Sequence, residues 1–216
     1  MTSLAARTSP RVLADVLPRP ATRLRALAVD AVLVVAGTAL VAGAAQIAIP
    51  FWPVPLTMQT FAVLLVGTAL GPARGAISLA LYLAIGVLGL PVFSAGTSGS
   101  LFALTSGGFI IGFVFAAALT GALARRTWDR RVVGTLVSFA AGSAVMYVFG
   151  LPWLYVSLLN LGPAVWQDAL GYDSLLAATL GAGLVPFLLG DVLKAAFAAA
   201  LLPATWRGVA ALDARR

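Results

Sequence analysis

Between Asp30 and Arg74 run 43 residues without a charge, and between Arg74 and Arg125 run 50 more. A soluble fold needs charge at short intervals to wet its surface, so intervals of this length leave a lipid bilayer as the surrounding medium. A backbone in hydrocarbon must satisfy its own hydrogen bonds, which favours helices. A spanning helix takes about 20 residues, so each interval predicts two spans with a connection on the far side. A fifth span is expected over Val132–Leu158 and a sixth over Ala177–Pro203. Composition agrees: 61% of residues are hydrophobic and 10% charged, with a mean hydropathy of +1.02. Soluble domains carry about 25% charged residues. The expected fold is an all-α membrane protein with six transmembrane helices.

Breaks in the apolar runs mark the connections. Pro50, Pro53 and Pro55 in IPFWPVP cannot continue a helix and set an extended loop. Pro91 and the following SAGTSGS predict a longer Gly/Ser-rich loop over 91–106, a length more often functional than idle. Charge then orients the chain. All thirteen arginines fall in the amino-terminal segment, the 71–74 turn, the 125–131 turn and the carboxyl-terminal segment, as five, one, four and three. The opposite connections, 48–57, 91–106 and 159–176, hold only Asp168 and Asp173. The positive-inside rule places both termini in the cytoplasm and both proline-marked loops outside.

Residues 1–23, with four arginines and three prolines, read as a disordered basic cytoplasmic tail able to touch anionic lipid. The start also resembles a signal peptide ending at Ala42-Gly43-Ala44, but its apolar run is too long for one, and retention is expected. The remaining division is a six-helix membrane domain over 24–206 and a cytoplasmic tail over 207–216. The net charge of +7 lies beside apolar spans rather than in a basic tract, which excludes a nucleic-acid binder. Cysteine, histidine and glutamate are absent, removing thiolate chemistry and the usual bases and metal ligands. No Walker A glycine-lysine pair exists, so any ATP-driven step needs another subunit. No internal repeat supports an inverted-repeat carrier.

Asp191 and Lys194, the sole lysine, lie within the apolar stretch 175–206. A charge at the bilayer centre costs about 2.5–3.5 kcal/mol on insertion scales, so it normally faces a cavity, a partner or a substrate. The i, i+3 spacing puts both on one helical face. They read either as a structural ion pair or as a site for a small polar ligand, and the neighbouring Pro186 and Gly190 favour the site. Thr57 and Gln59 read either as ligand contacts or as a helix cap and its neighbour. Phe93, Ser94 and Thr97 are candidate contacts in the Gly/Ser loop, with a plain flexible turn as the alternative. Ala36, Ala39 and Gly43 form a small-residue face open to a partner helix or to packing within the chain. Trp128, Trp153 and Trp206 are expected as interfacial anchors.

The strings AQIAIPFWPVPLTMQTFAVLLVG, LGPARGAISLALYLAIGVLGLPVF and PFLLGDVLKAAFAAALLP resemble BioY proteins, the biotin-binding S components of energy-coupling factor (ECF) transporters. The resemblance covers about residues 28–206. It implies six helices in a bacterial cell membrane, an outward biotin pocket closed by the first and third loops, and no enzymatic activity or cofactor. It implies as partners a transmembrane coupling subunit and two ABC ATPases. Asp191 and Lys194 are then implied ligands of biotin, assisted by Thr57, Gln59, Phe93, Ser94 and Thr97, with Ala36, Ala39 and Gly43 as the docking face. The chain departs from the resemblance in a sparser glycine run after Pro91 and in Phe109, where a tyrosine is common. An S component for another vitamin and a solo transporter are the alternatives.

Overall fold

In the computed structural model, which describes residues 12–18 and 21–214, the apolar intervals resolve into helices. They are α1 (Arg23–Gln46), α2 (Gln59–Leu70), α3 (Pro72–Val87), α4 (Gly107–Arg125), α5 (Val132–Leu161), α6 (Leu175–Gly183) and α7 (Val185–Asp213). The IPFWPVP segment is the turn of a two-residue hairpin, β1 (Ala48–Ile49) against β2 (Leu56–Thr57), with Ala48 opposite Thr57. Short 3-10 turns at Ser94–Gly96 and Leu101–Ala103 fold the Gly/Ser loop.

Four segments are long and apolar enough to cross a bilayer: α1, α4, α5 and the stretch Leu175–Asp213 formed by α6 and α7. The expected spans over 31–73 and 75–124 differ in outcome. α2 and α3 have 12 and 16 residues, short of the roughly 20 that span alone. α2 starts late because the proline-rich turn precedes it, and it stops at Gly71, whose φ of +86° suits glycine. Pro72 then opens α3 at once, a position where its missing N–H costs nothing. The last helix also departs from a single rod. Pro186 breaks it at Leu184 (φ −123°, ψ −57°), leaving α6 and α7 offset.

α4 lies at the centre, packed against α2, α3 and α5, while α1 covers α2 and α3 and α7 lies on α5 and α2. Glycine makes the closest of these approaches possible. A Cβ at Gly67 would fall 2.4 Å from the Ala117 carbonyl oxygen, one at Gly121 would fall 2.4 Å from Pro72 N, and one at Gly75 would fall 2.9 Å from Gly67 Cα. The three glycines thus let α2, α3 and α4 meet backbone to backbone. Across α1 and α3, Thr38 Oγ1 donates to the Ser78 carbonyl at 2.8 Å. Leu79, Tyr82, Phe113, Phe139, Met146 and Leu154 are among the buried side chains of the core between them.

The arginine-bearing segments gather at one end. Arg74 bridges Asp30 of α1 (2.7 Å) and Asp15 (3.6 Å). Within the expected tail, residues 1–11 and 19–20 lie outside the described residues. Leu13–Val16 form a 3-10 turn with Val12 buried beside Gly71, so this part packs on the helices rather than hanging as a tail. The carboxyl-terminal expectation also shifts, because α7 runs on to Asp213. Trp206 is buried, not an interfacial anchor, and donates to Asp129 Oδ2 at 2.6 Å.

The glycine contact is directly testable. Gly67→Ala should lower the thermal unfolding midpoint in detergent, because overpacking of this kind costs about 1–3 kcal/mol. Gly208→Ala, whose Cβ meets nothing within 4 Å, should leave the midpoint unchanged or raised.

Candidate functional site

At the end opposite the arginines, the irregular segments close around a cavity of about 500 Å³. This lies inside the roughly 300–1,000 Å³ range of small-molecule pockets. The hairpin turn 50–57 and the 93–106 loop form its rim, and α4, α5 and α7 supply Phe109, Ile110, Phe113, Met146 and Phe187 as apolar wall. Polar groups in the lining include Asp191, Tyr147, Thr57, Gln59, Thr60 and Ser94.

Asp191 lines the cavity from α7, which begins after the break at Leu184 and packs beside α5. There Tyr147 Oη donates to Asp191 Oδ2 at 2.5 Å. Lys194 reaches the start of α2. Its Nζ donates to the Thr57 carbonyl at 2.9 Å and to Thr60 Oγ1 at 2.7 Å, tying α7 to the start of α2. Lys194 is not among the residues that line the cavity, and no ion pair joins it to Asp191, so the structural-pair reading has no geometry behind it. Gly190 is not required by packing either, since a Cβ there would meet only Lys194 Nζ, at 4.0 Å.

Thr57 Oγ1 accepts from the Gln59 N–H and donates to Gln59 Oε1, each at 3.2 Å. Thr57 is thus not the helix cap, which is Met58 without a side-chain bond, but the last residue of β2, beside the cavity that it and Gln59 line. Gln59 is buried, and its Nε2 donates to Tyr82 Oη at 2.8 Å; Tyr82 Oη donates onward to the Val92 carbonyl at 3.1 Å. This relay links the rim loop to two helices. Phe93 is buried edge-on against Tyr82, with ring centroids 5.5 Å apart, and occupies the space left by Gly86. Ser94 Oγ is buried with no hydrogen-bond partner and lines the cavity. Such a group is costly unless something bonds it. Thr97 Oγ1 donates to the Ser94 carbonyl at 2.9 Å. Thr105 Oγ1 donates to the Pro53 carbonyl, joining the two rim segments.

The sequence profile of the BioY family matches residues 17–211. The chain belongs to the BioY family. A relative named "Biotin transporter BioY" from Rhizobium etli is 33% identical over 177 residues, covering 78% of this chain and 87% of the relative. Another of that name, from Thermotoga maritima, is 33% identical over 163 residues, covering 75% and 86%. Among solved structures, the fold is similar to that of the S-component for biotin from an ECF-type ABC transporter. That match has a TM-score of 0.66 at 24% identity, covering 87% of this chain and 95% of the other. This BioY chain is accordingly an all-α, multi-pass membrane protein.

Of the expected site residues, Asp191, Thr57, Gln59, Phe93, Ser94 and Thr97 come together in this BioY cavity, and Lys194 stands behind its wall. Ala36, Ala39 and Gly43 are exposed on the outer side of α1, away from the cavity. Sequence reasoning missed Tyr147, whose signal was a hydroxyl aligned with Ser143 one turn earlier in an apolar helix. It also missed Gln46. That amide ends α1 and grips the rim loop, donating to the Phe93 carbonyl at 3.1 Å and accepting from the Gly96 N–H at 3.0 Å.

Gln46→Ala should therefore raise backbone amide exchange across 92–97 while leaving 101–106 unchanged, as read by hydrogen–deuterium exchange.

Proposed function

We propose that this BioY protein is the biotin-binding S component of an ECF-type transporter, taking up biotin from outside and delivering it inward. The observation that carries the reading is Asp191: a carboxylate held by Tyr147 in an apolar-walled cavity, in a chain that belongs to the BioY family. Biotin presents ureido N–H donors, an apolar thiophane ring with its valeryl chain, and a terminal carboxylate. Asp191 accepts from a ureido N–H. Phe109, Ile110, Phe113, Met146 and Phe187 enclose the ring and chain. The Ser94 hydroxyl gains the partner it lacks. Lys194 exchanges its bond to Thr60 for an oxygen of the vitamin, and Thr57, Gln59, Phe93 and Thr97 shape the rim.

In this reading α2 and α3 cross the membrane with the flanking rim loops, making six passes with both termini in the cytoplasm. The division is a basic amino-terminal segment over 1–23, a substrate-binding membrane domain over 24–206 and a cytoplasmic segment over 207–216. Support comes from the arginines at one end and the cavity at the other. The exposed face of Ala36, Ala39 and Gly43 is where a transmembrane coupling subunit docks, and two ABC ATPases supply the energy that this chain has no motif to harvest. The chain is thus a transport subunit, not an enzyme.

Calorimetry of biotin binding to the purified protein tests the site. Asp191→Asn and Lys194→Met should each weaken binding at least about thirtyfold, since truncating one partner of a buried charged hydrogen bond costs roughly 2 kcal/mol or more. Both variants should still insert. Unchanged affinity in both would reject the site, and displacement of biotin by thiamine or riboflavin at equal concentration would reject the specificity. Tyr147→Phe should weaken binding less, because it removes the group that orients Asp191 and not the carboxylate itself.

A further inference from the structure

The turn between α4 and α5 is built from Arg125, Arg126, Thr127, Trp128, Asp129, Arg130 and Arg131. It lies about 20 Å along α4 from the cavity residue Phe113, at 1.5 Å per residue. A second hollow of about 390 Å³ opens here, lined by Arg126, Thr127, Trp128, Arg131, Val133 and Val137. Thr127 adopts φ +64°, reversing the chain so that the two arginines flank the same space. The turn sits hard on the first turn of α5, where a Cβ at Gly134 would fall 2.2 Å from the Trp128 carbonyl oxygen.

No acid among the described residues pairs with the two arginines that line this hollow. Neither Arg126 nor Arg131 forms an ion pair among the described residues, where the ion pairs are those of Arg74. The one acid of the turn, Asp129, is 1% exposed and turned inward to the Trp206 indole N–H. Burial pushes its carboxyl above the usual carboxylate range, against the lowering pull of the Trp206 bond and of Arg130. Below the arginines, Val133 and Val137 are exposed one helical turn apart, forming an apolar track that runs into the bilayer. Trp128, partly exposed beside them, is suited to the headgroup level.

We infer that this hollow binds an anionic phospholipid, its phosphate held between the Arg126 and Arg131 guanidiniums and an acyl chain laid along Val133 and Val137. Planar guanidiniums match phosphate oxygens in pairs. Basic hollows beside spanning helices on the cytoplasmic side are known receptors for acidic headgroups. The apolar track distinguishes this occupant from a free anion. The site is independent of the biotin reading, and either can fail without the other.

Native mass spectrometry of the full chain in neutral detergent tests it, by titration with phosphatidylglycerol and with phosphatidylcholine of the same acyl chains. The first phosphatidylglycerol should bind at least about tenfold more tightly than phosphatidylcholine, as expected for two charge-assisted contacts. Arg126→Gln with Arg131→Gln should abolish that preference, while Arg25→Gln, at the same membrane face on α1, should keep it. The thermal unfolding midpoint of the double variant in detergent reports whether it is folded, and the wild-type comparison decides the matter alone if it is not. Equal affinity for the two lipids in the wild type, or retained preference in a folded double variant, overturns the site. Displacement of the lipid by millimolar inorganic phosphate or by a hexa-aspartate peptide also overturns it, in favour of a soluble anion or an acidic partner.

Discussion

Hydrocarbon offers a peptide group nothing to bond to, and the placement of every irregular segment in this protein follows from that. The hairpin 48–57, the loop 88–106 and the break at Leu184 would each expose backbone to lipid if scattered. The hairpin and the loop are instead gathered at one end, where they rim a cavity and are joined by the bond from Thr105 to the Pro53 carbonyl, while the break keeps its bonds within the last helices. The opposite end needs no such arrangement, because its turns are short and carry arginine into water. The asymmetry that orients the chain and the asymmetry that creates a binding site therefore have a common origin.

The rim is held by polar side chains that reach in from helices. Gln46 grips the 92–96 segment from α1, Gln59 and Tyr82 connect it to α2 and α3, and Thr105 ties it to the hairpin turn. Lys194 extends the same scheme to α7 by bonding the hairpin strand and the first turn of α2. A charge inside the bilayer, costly alone, is thus surrounded by oxygen. Removing any one contact loosens a rim segment more than it unfolds a helix, since the helical core is held separately by the glycine contacts of α2, α3 and α4.

Much of this was legible in the sequence. The uncharged intervals gave the helical membrane class, the prolines and glycines located both rim segments, and the acid in the last apolar stretch lies at the cavity. Family resemblance supplied the proposed ligand. What stayed hidden was geometry between distant residues. The i, i+3 spacing of Asp191 and Lys194 suggested a pair, but each found a better partner on another helix, Tyr147 for one and the start of α2 for the other. Tyr147 and Gln46 look unremarkable within apolar runs, and only the packing reveals what they touch. Trp206 was misplaced for a related reason: proximity to a basic segment suggested the interface, whereas the buried Asp129 draws the indole inward.

Beneath Phe113 and Met146 the interior is filled by Ala116, Ala117 and Phe139, all fully buried. Among the described residues the cavity therefore has the form of a bowl, with these side chains as its foot. A solute that settles in it gains no route through the protein by a rim movement alone, because the foot would have to be dismantled. Opening and closing of the rim therefore controls access from one end of the protein.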